Sequence, residues 1–212
     1  GGYADACRRC RGYADGDRGG ERVLDRSAGA NPYTPAGART LGFELAEQAP
    51  EAEWIAVSMG NGGTIADLYR GYELFERLGY VAEPPRLLGV EAAGAPTIRA
   101  RDGAESGAVS QGTCADSIDV DEPHRAADAT DAIERSGGTS VTVDDDEIRR
   151  ALRWLGRDEG VFAEPAGAAA LAGVERGVSA GIVDRGDRVV AVTTGNGLKD
   201  TDTALEAVTE PE

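Results

Sequence analysis

The chain has 212 residues, of which 41% are hydrophobic, and its 38 acidic against 22 basic residues give a formal charge of −16 at pH 7. This length suits one sizeable domain, and no apolar run of about 18 residues is present that could span a membrane. An acidic surface repels nucleic acids and anionic lipids, so neither is expected as a partner.

Helical and strand patterns alternate from the start of the chain. Residues 3–12 are predicted to form a short helix, and residues 36–48 a second one. The first buried strand is predicted at residues 53–59. The helix after it shows apolar residues at spacings of three and four and ends at Gly79.

The second half of the chain continues this alternation after a long irregular segment at residues 92–123. We expect a three-layer α/β fold, a twisted parallel sheet with helices on both faces, because apolar strands alternate with helices. No change in composition marks a boundary, so residues 1–212 are interpreted as a single α/β domain. The predicted elements are strands at 86–91, 139–143 and 188–193, helices at 124–136, from Asp144 to about Leu155 and from Pro165, and an acidic tail after Lys199.

A glycine-rich turn, Gly60-Asn61-Gly62-Gly63-Thr64, lies between the first strand and the helix that follows. Ligands of open parallel sheets bind at the carboxyl ends of the strands. Small residues at a helix N-terminus let backbone N–H groups approach an anion, and a phosphate suits such a turn. A purely structural glycine-rich turn is the alternative interpretation.

A second turn, Thr194 to Asp200, follows the last strand. The hydroxyl of Thr194 at the strand end could bind a ligand or stabilise the turn. Glu164 is flanked by apolar residues, so it is either a partly buried functional carboxylate or an acid at a helix start. His124, the chain's single histidine, is interpreted as a solvated helix-terminus residue, and a general base is the alternative. The acidic run 144–147 is interpreted as a helix start, with cation binding as the alternative.

Cysteine and lysine usage indicate the environment of the protein. Three cysteines, at positions 7, 10 and 114, are typical of a reducing cytoplasm, so a cytoplasmic location is expected. Cys7 and Cys10 lack further ligands and are interpreted as surface thiols rather than a metal site. Lys199 is the only lysine, and the acidic, arginine-biased composition predicts a salt-adapted, halophilic protein, with an ordinary acidic protein as the alternative.

Six motifs occur in an order and at spacings that, taken together, resemble threonine synthase. This family belongs to the pyridoxal phosphate enzymes that share the tryptophan synthase β-subunit fold, fold type II, and the match covers the C-terminal two-thirds of the family pattern. The resemblance therefore implies that this chain forms the large domain of such an enzyme. The motifs are Asn31-Pro32-Tyr33, Gly37-Ala38-Arg39-Thr40, Gly60-Asn61-Gly62-Gly63, Ser136-Gly137-Gly138, Glu159 to Ala166 and Thr194 to Asp200.

The resemblance implies a cofactor site for pyridoxal 5′-phosphate. The backbone N–H groups of Gly60, Asn61, Gly62, Gly63 and Thr64 would hold the phosphate. The Thr194 hydroxyl would form a hydrogen bond with the pyridine nitrogen. Because this hydroxyl is neutral, it would leave the nitrogen unprotonated. Asn31 and Thr34 are implied as substrate-binding residues. The implied enzyme is a carbon–oxygen lyase that converts O-phosphohomoserine and water to threonine and phosphate by elimination and replacement, and family members are commonly homodimers.

The sequence departs from the family pattern in ways that bear on activity. The cofactor lysine has no counterpart here, since Lys199 matches a different family position, so the chain is interpreted as truncated at its N-terminus, inactive alone and without an assigned catalytic residue. Thr34 and Thr64 replace a usual Arg and Asn, and Arg39 a usual Lys. The alternatives are a threonine or serine dehydratase, a cysteate synthase, or a noncatalytic protein that binds pyridoxal phosphate or another phosphate.

Overall fold

Four parallel strands form one sheet in the computed structural model, which describes residues 33–98 and 112–209. The strand order is β3-β2-β1-β4, and every pairing within it is parallel. The predicted α/β class with a parallel sheet is therefore confirmed. The strands are β1 (Trp54–Ser58), β2 (Arg86–Ala92), β3 (Thr139–Val143) and β4 (Val189–Ala191).

Helices connect these strands, and short 3₁₀ turns occupy Asp116–Ile118 and Gly197–Lys199. Within the described ranges, no helix is both long and apolar enough to cross a membrane. The α-helices are α1 (Tyr33–Ala38), α2 (Thr40–Gln48), α3 (Gly63–Arg77), α4 (Ala126–Arg135), α5 (Asp145–Asp158), α6 (Pro165–Ser179) and α7 (Thr201–Thr209).

The side chains of β1 alternate between two apolar layers, as the pleat of a strand requires. Trp54 and Ala56 pack in a core with residues of α5 and α6. Ile55 and Val57 pack in a separate core with residues of α3 and α4. Both faces of the sheet are therefore covered by helices, and the predicted three-layer arrangement is confirmed.

The strand predicted as buried at residues 188–193 is shorter and less buried than expected. It forms β4, and all three of its residues are only partly buried. Within the described part of the chain, β4 pairs with β1 alone and is an edge strand. The apolar residues of β4 favour a β-strand, but the burial of the strand depends on its position in the sheet.

Two helix predictions also need correction. The segment 36–48 forms two short helices, α1 and α2, rather than one, with Arg39 between them. The acidic tail after Lys199 contains a helix, α7, and Asp200 accepts hydrogen bonds from the backbone N and hydroxyl of Thr203 at its start, at 3.2 and 2.9 Å. The helix predicted at residues 3–12 lies outside the described residues.

Candidate functional site

The turns after β1 and after β4 meet at one edge of the sheet. The two strands are neighbours and run in the same direction, with Trp54 paired to Val189 and Ala56 to Ala191, so their carboxyl ends coincide. The turns open onto a cavity of about 190 Å³. Its lining residues are Ser58, Gly60, Asn61, Gly62, Gly63, Thr64, Ser117, Ile118, Glu164, Ala166 and Thr194.

The first turn presents backbone donors to this cavity. Gly62 has a φ of +83°, and a Cβ there would lie 2.7 Å from the carbonyl oxygen of Arg125, so only glycine fits. Gly63 begins α3, and the first N–H groups of a helix have no intrahelical partner and carry positive partial charge. The amide oxygen of Asn61 is buried and has no hydrogen-bond partner within the described ranges. The backbone N–H groups suit a bound phosphate, whereas the Asn61 oxygen is an acceptor and would need a hydrogen-bond donor.

Arg125 holds the turn Gly60–Thr64 in place through its backbone. Its backbone N–H donates to the carbonyl oxygen of Asn61 at 3.0 Å. Its guanidinium pairs with Asp67 through contacts of 2.8 and 3.1 Å and also with Asp128. These pairs raise the pKa of Arg125 and lower the pKa of the Asp128 carboxyl. Because two carboxylates neutralise the guanidinium, Arg125 holds the turn in place rather than offering a free cation.

Glu164 lies at the start of α6 with its carboxylate at the cavity wall. The residue is 5% exposed, and its side chain makes no capping hydrogen bond to the helix. Its carboxylate contacts the ammonium of Lys199 at 2.8 Å, the hydroxyl of Thr194 at 3.3 Å and the hydroxyl of Ser117 at 3.5 Å. Both features considered for Glu164 are therefore present, a helix-start position and a buried carboxylate in a site.

The chain's single lysine is held in this cluster. The ammonium of Lys199 donates to the hydroxyl of Ser117 as well as pairing with Glu164, although the side chain is 52% exposed. The residue therefore belongs to a structural ion pair at the end of the second turn, next to the cavity.

Of the two implied substrate residues, Thr34 alone lies in the described part of the chain. Thr34 is exposed on α1 and is absent from the described lining. Asn31 lies outside the described residues, as do Cys7 and Cys10. His124 is exposed just before α4, in agreement with a helix-terminus residue.

The acidic run 144–147 forms a capping box at the start of α5. Asp144 accepts from the backbone N of Glu147, and Glu147 accepts from the backbone N of Asp144, each at 2.8 Å. The helix-start interpretation is confirmed. In residues 33–98 and 112–209, no group of three or more His, Cys, Asp and Glu could hold a metal ion.

Sequence reasoning missed three residues of this site. Ser117 lies within the irregular segment 92–123, in which no periodicity distinguishes one polar residue from another. Arg125 and Asp67 are 58 residues apart, and single helical patterns do not show that their helices pack together. An aspartate on the apolar side of α3 was the available signal, since buried charges are paired.

Comparison with known proteins gives a consistent result. A family model described as "Pyridoxal-phosphate dependent enzyme" matches residues 1–195. Threonine synthase from Methanocaldococcus jannaschii is 38% identical over 199 residues, covering 90% of this chain and 49% of that protein. Threonine synthase from Bacillus sp. (strain ULM1) is 37% identical over 209 residues, covering 98% of this chain and 56% of that protein. The chain thus spans about half the length of the curated relatives it matches.

Solved structures share the fold at low sequence identity. A processed threonine deaminase isoform 2 from Solanum lycopersicum superposes with a TM-score of 0.64 at 20% identity, covering 84% of this chain and 47% of that one. Maize serine racemase superposes with a TM-score of 0.62 at 22% identity, covering 83% of this chain and 52% of that one. At these identities the likeness establishes the architecture alone.

Proposed function

The chain belongs to the pyridoxal-phosphate dependent enzyme family, and we propose that it forms the cofactor-holding part of a threonine synthase. The reaction proposed for the whole protein converts O-phosphohomoserine and water to threonine and phosphate. The named relatives support this activity, since threonine synthases from archaea and bacteria align over most of the chain. The main structural support for the proposal is that the turn Gly60–Thr64 and Thr194 line one cavity.

The residues of the first turn fit the phosphate of the cofactor. The N–H groups at the start of α3 would donate to the phosphate oxygens, and the helix dipole favours a dianion there. A side chain at Gly62 would collide with Arg125. Gly63 is less crowded, since the atom nearest to a Cβ at that position would be a guanidinium nitrogen of Arg125, 3.7 Å away. The turn therefore keeps its backbone accessible to an anion.

Thr194 and Glu164 line the same cavity and would lie beside the cofactor ring. Pyridoxal phosphate, when bound, supplies an electron-withdrawing ring that stabilises negative charge on substrate carbons. The part of this chain is to bind the phosphate, orient the ring through the Thr194 hydroxyl and keep the Glu164 carboxylate paired with Lys199 at 2.8 Å. Asn31 and Thr34 stay predictions as substrate-binding residues.

The activity test uses the protein translated from the complete gene, loaded with pyridoxal phosphate. With O-phosphohomoserine we expect equal amounts of phosphate and threonine, measured by a colorimetric phosphate assay and by amino-acid chromatography. Formation of a 2-oxo acid and ammonia from threonine or serine, without threonine synthesis from O-phosphohomoserine, would identify a dehydratase instead. Cofactor binding without turnover of these substrates or of phosphoserine would identify a noncatalytic paralogue.

The acidic composition carries a separate proposal, a salt-adapted protein of the cytoplasm. A surface with a net charge of −16 repels itself in dilute buffer, and salt screens this repulsion. We expect the midpoint of thermal unfolding to rise between dilute buffer and molar KCl. Equal midpoints in the two solutions would contradict salt adaptation.

A further inference from the structure

Strand β4 directs a row of backbone groups away from the sheet. The carbonyl oxygen of Arg188 accepts from the N–H of Trp54 at 3.2 Å, and the N–H of Val192 donates to the carbonyl oxygen of Ala56 at 3.0 Å. Alternate residues of a parallel strand bond to the same neighbour, so positions 188, 190 and 192 pair with β1. The residues between them point their N–H and C=O groups to the other side, where no strand lies in the described part of the chain. These outer-edge residues are Val189, Ala191 and Thr193.

The composition of β4 does not suit an edge that faces water. Open edges are usually protected by charged residues, by proline or by a bulge. No charged residue and no proline lies between Arg188 and Lys199. The strand at the opposite edge of the described sheet, β3, instead carries hydroxyl side chains at three of its positions, Thr139, Ser140 and Thr142. Strand β4 therefore combines the residues of an interior strand with an edge position.

Space for a further strand lies beside β4. A cavity of about 360 Å³ is lined by the segment 48–52 after α2 and by Arg188, Val189 and Val190. Val189 packs against the core that contains residues of α5 and α6, and Val190 packs against the core that contains residues of α3 and α4. A strand placed beside β4 would extend both apolar layers, so its side chains should be largely apolar on both faces.

We propose that an extended segment of the complete protein, from outside these 212 residues, pairs with the outer-edge residues of β4 as a further strand of the sheet. The inference rests on that part of the proposed function in which the chain is one portion of a longer enzyme. The relatives have the length to supply such a segment, since the chain covers 49% and 56% of two of them. A second copy is the poorer occupant, because each copy carries a charge of −16 and the two would repel each other.

The added strand would also restrain the second turn of the candidate site. Thr193 is the last outer-edge residue, and it directly precedes Thr194, which lines the cavity of about 190 Å³. Both threonines are exposed in this chain. Backbone hydrogen bonds at Thr193 would hold the polypeptide just before Thr194. The added segment would thus position one wall of the site without contacting a ligand there.

Hydrogen exchange in the protein translated from the complete gene tests the pairing, with single amides resolved by NMR. We expect the amides of the outer-edge residues to exchange at least about a hundredfold more slowly than in an unstructured peptide, because a paired amide exchanges only when the structure opens. The amides of Val190 and Val192, which face β1, are the internal reference for paired groups. Exchange of the outer-edge amides at the unstructured rate, with both reference amides protected, would overturn the proposal.

Photo-crosslinking in the same protein identifies the occupant. The photoreactive residue p-benzoyl-L-phenylalanine replaces Glu51, which lines the cavity of about 360 Å³ and whose side chain is 71% exposed. We expect irradiation to join position 51 to a peptide from outside the 212 residues of the same molecule, identified by mass spectrometry. The matched control carries the same residue in place of Asp146 on α5, which is 84% exposed and absent from that lining, and it should not capture the peptide.

The outcomes separate this inference from the proposed cofactor site. A cross-link between two copies would identify a second copy at the edge, and a cross-link confined to residues 1–212 would identify a segment of this chain. Either result would overturn the proposed occupant, as would the absence of a cross-link from position 51 and, should that variant not fold, from Gln48. The cofactor site is tested separately with pyridoxine 5′-phosphate, which has no aldehyde and needs no lysine to bind. Failure of this probe to bind would overturn the cofactor site and leave the strand pairing unaffected.

Discussion

Arg125, directly before α4, pairs with Asp67 of α3 beside the turn Gly60–Thr64. Two guanidinium nitrogens of Arg125 contact the two carboxylate oxygens of Asp67, at 2.8 and 3.1 Å. The side chains are 10% and 4% exposed, so both charges are largely removed from water. Because the backbone N–H of Arg125 also bonds Asn61, this pair connects the packing of α3 and α4 to the geometry of the turn.

Asp67→Ala should destabilise the fold by about 3–5 kcal/mol, since removal of one partner leaves the other charge buried without compensation. The free energy of unfolding is measured by urea denaturation. The control is Asp131→Ala on α4, whose side chain is 64% exposed and whose pair with Arg135 is screened by water, so a much smaller loss of stability is expected. Similar losses for the two variants would show that the Arg125–Asp67 pair has no special role.

The Arg125–Asp128 pair predicts a pH dependence. The hydrogen bond from Arg125 lowers the pKa of the Asp128 carboxyl in the folded protein. The resulting stabilisation is fully present above the unfolded pKa of about 3.9 and is lost as the pH falls through the lowered folded value. The stability difference between the unsubstituted protein and Asp128→Asn should therefore be largest near neutral pH and shrink below about pH 4. A constant difference from pH 7 to pH 3 would contradict the linkage.

Gly62→Ala should weaken phosphate binding as well as stability. Gly62 and Gly79 have similar positive φ angles, 83° and 78°, and both substitutions should cost about 1–2 kcal/mol for the left-handed conformation. At Gly62 the new Cβ would also lie 2.7 Å from the carbonyl of Arg125, whereas Gly79 has open space around it. Isothermal calorimetry with pyridoxine 5′-phosphate should show weaker binding for Gly62→Ala and unchanged binding for Gly79→Ala.

The thiol of Cys114 should react slowly in the folded protein. Burial, followed by the negative charge of Asp145, raises the pKa of Cys114 to about 12. At pH 8 only about one thiol in ten thousand is then ionised, against about a quarter in an unfolded chain. Alkylation by iodoacetamide, followed by mass spectrometry of the Cys114 peptide, should be roughly a thousandfold slower in buffer than in urea. Equal rates would contradict the burial of this thiol.

The class of fold and the positions of most elements follow from local patterns in the sequence. Strand 139–143 was predicted with the bounds that the structure has, because β-branched residues between Gly138 and the capping residue Asp144 leave little freedom at either end. The turn at Gly60–Thr64 was recognisable because glycine spacing and a following amphipathic helix are local features. The family was predicted from six short motifs in the right order, and the comparisons confirm it.

Which polar residues contact one another depends on how the elements pack. Glu164 was ambiguous as a sequence because a helix-start acid and a site carboxylate look alike, and its partners Ser117 and Lys199 are 47 and 35 positions away. The parallel pairing of β1 with β4 brings the two turns together, and strand order, not local propensity, also leaves β4 at the edge. Local patterns fix backbone conformation over one or two turns of chain. The contact between Thr194 and Glu164 depends on packing between two segments, which the pattern of either segment alone does not contain.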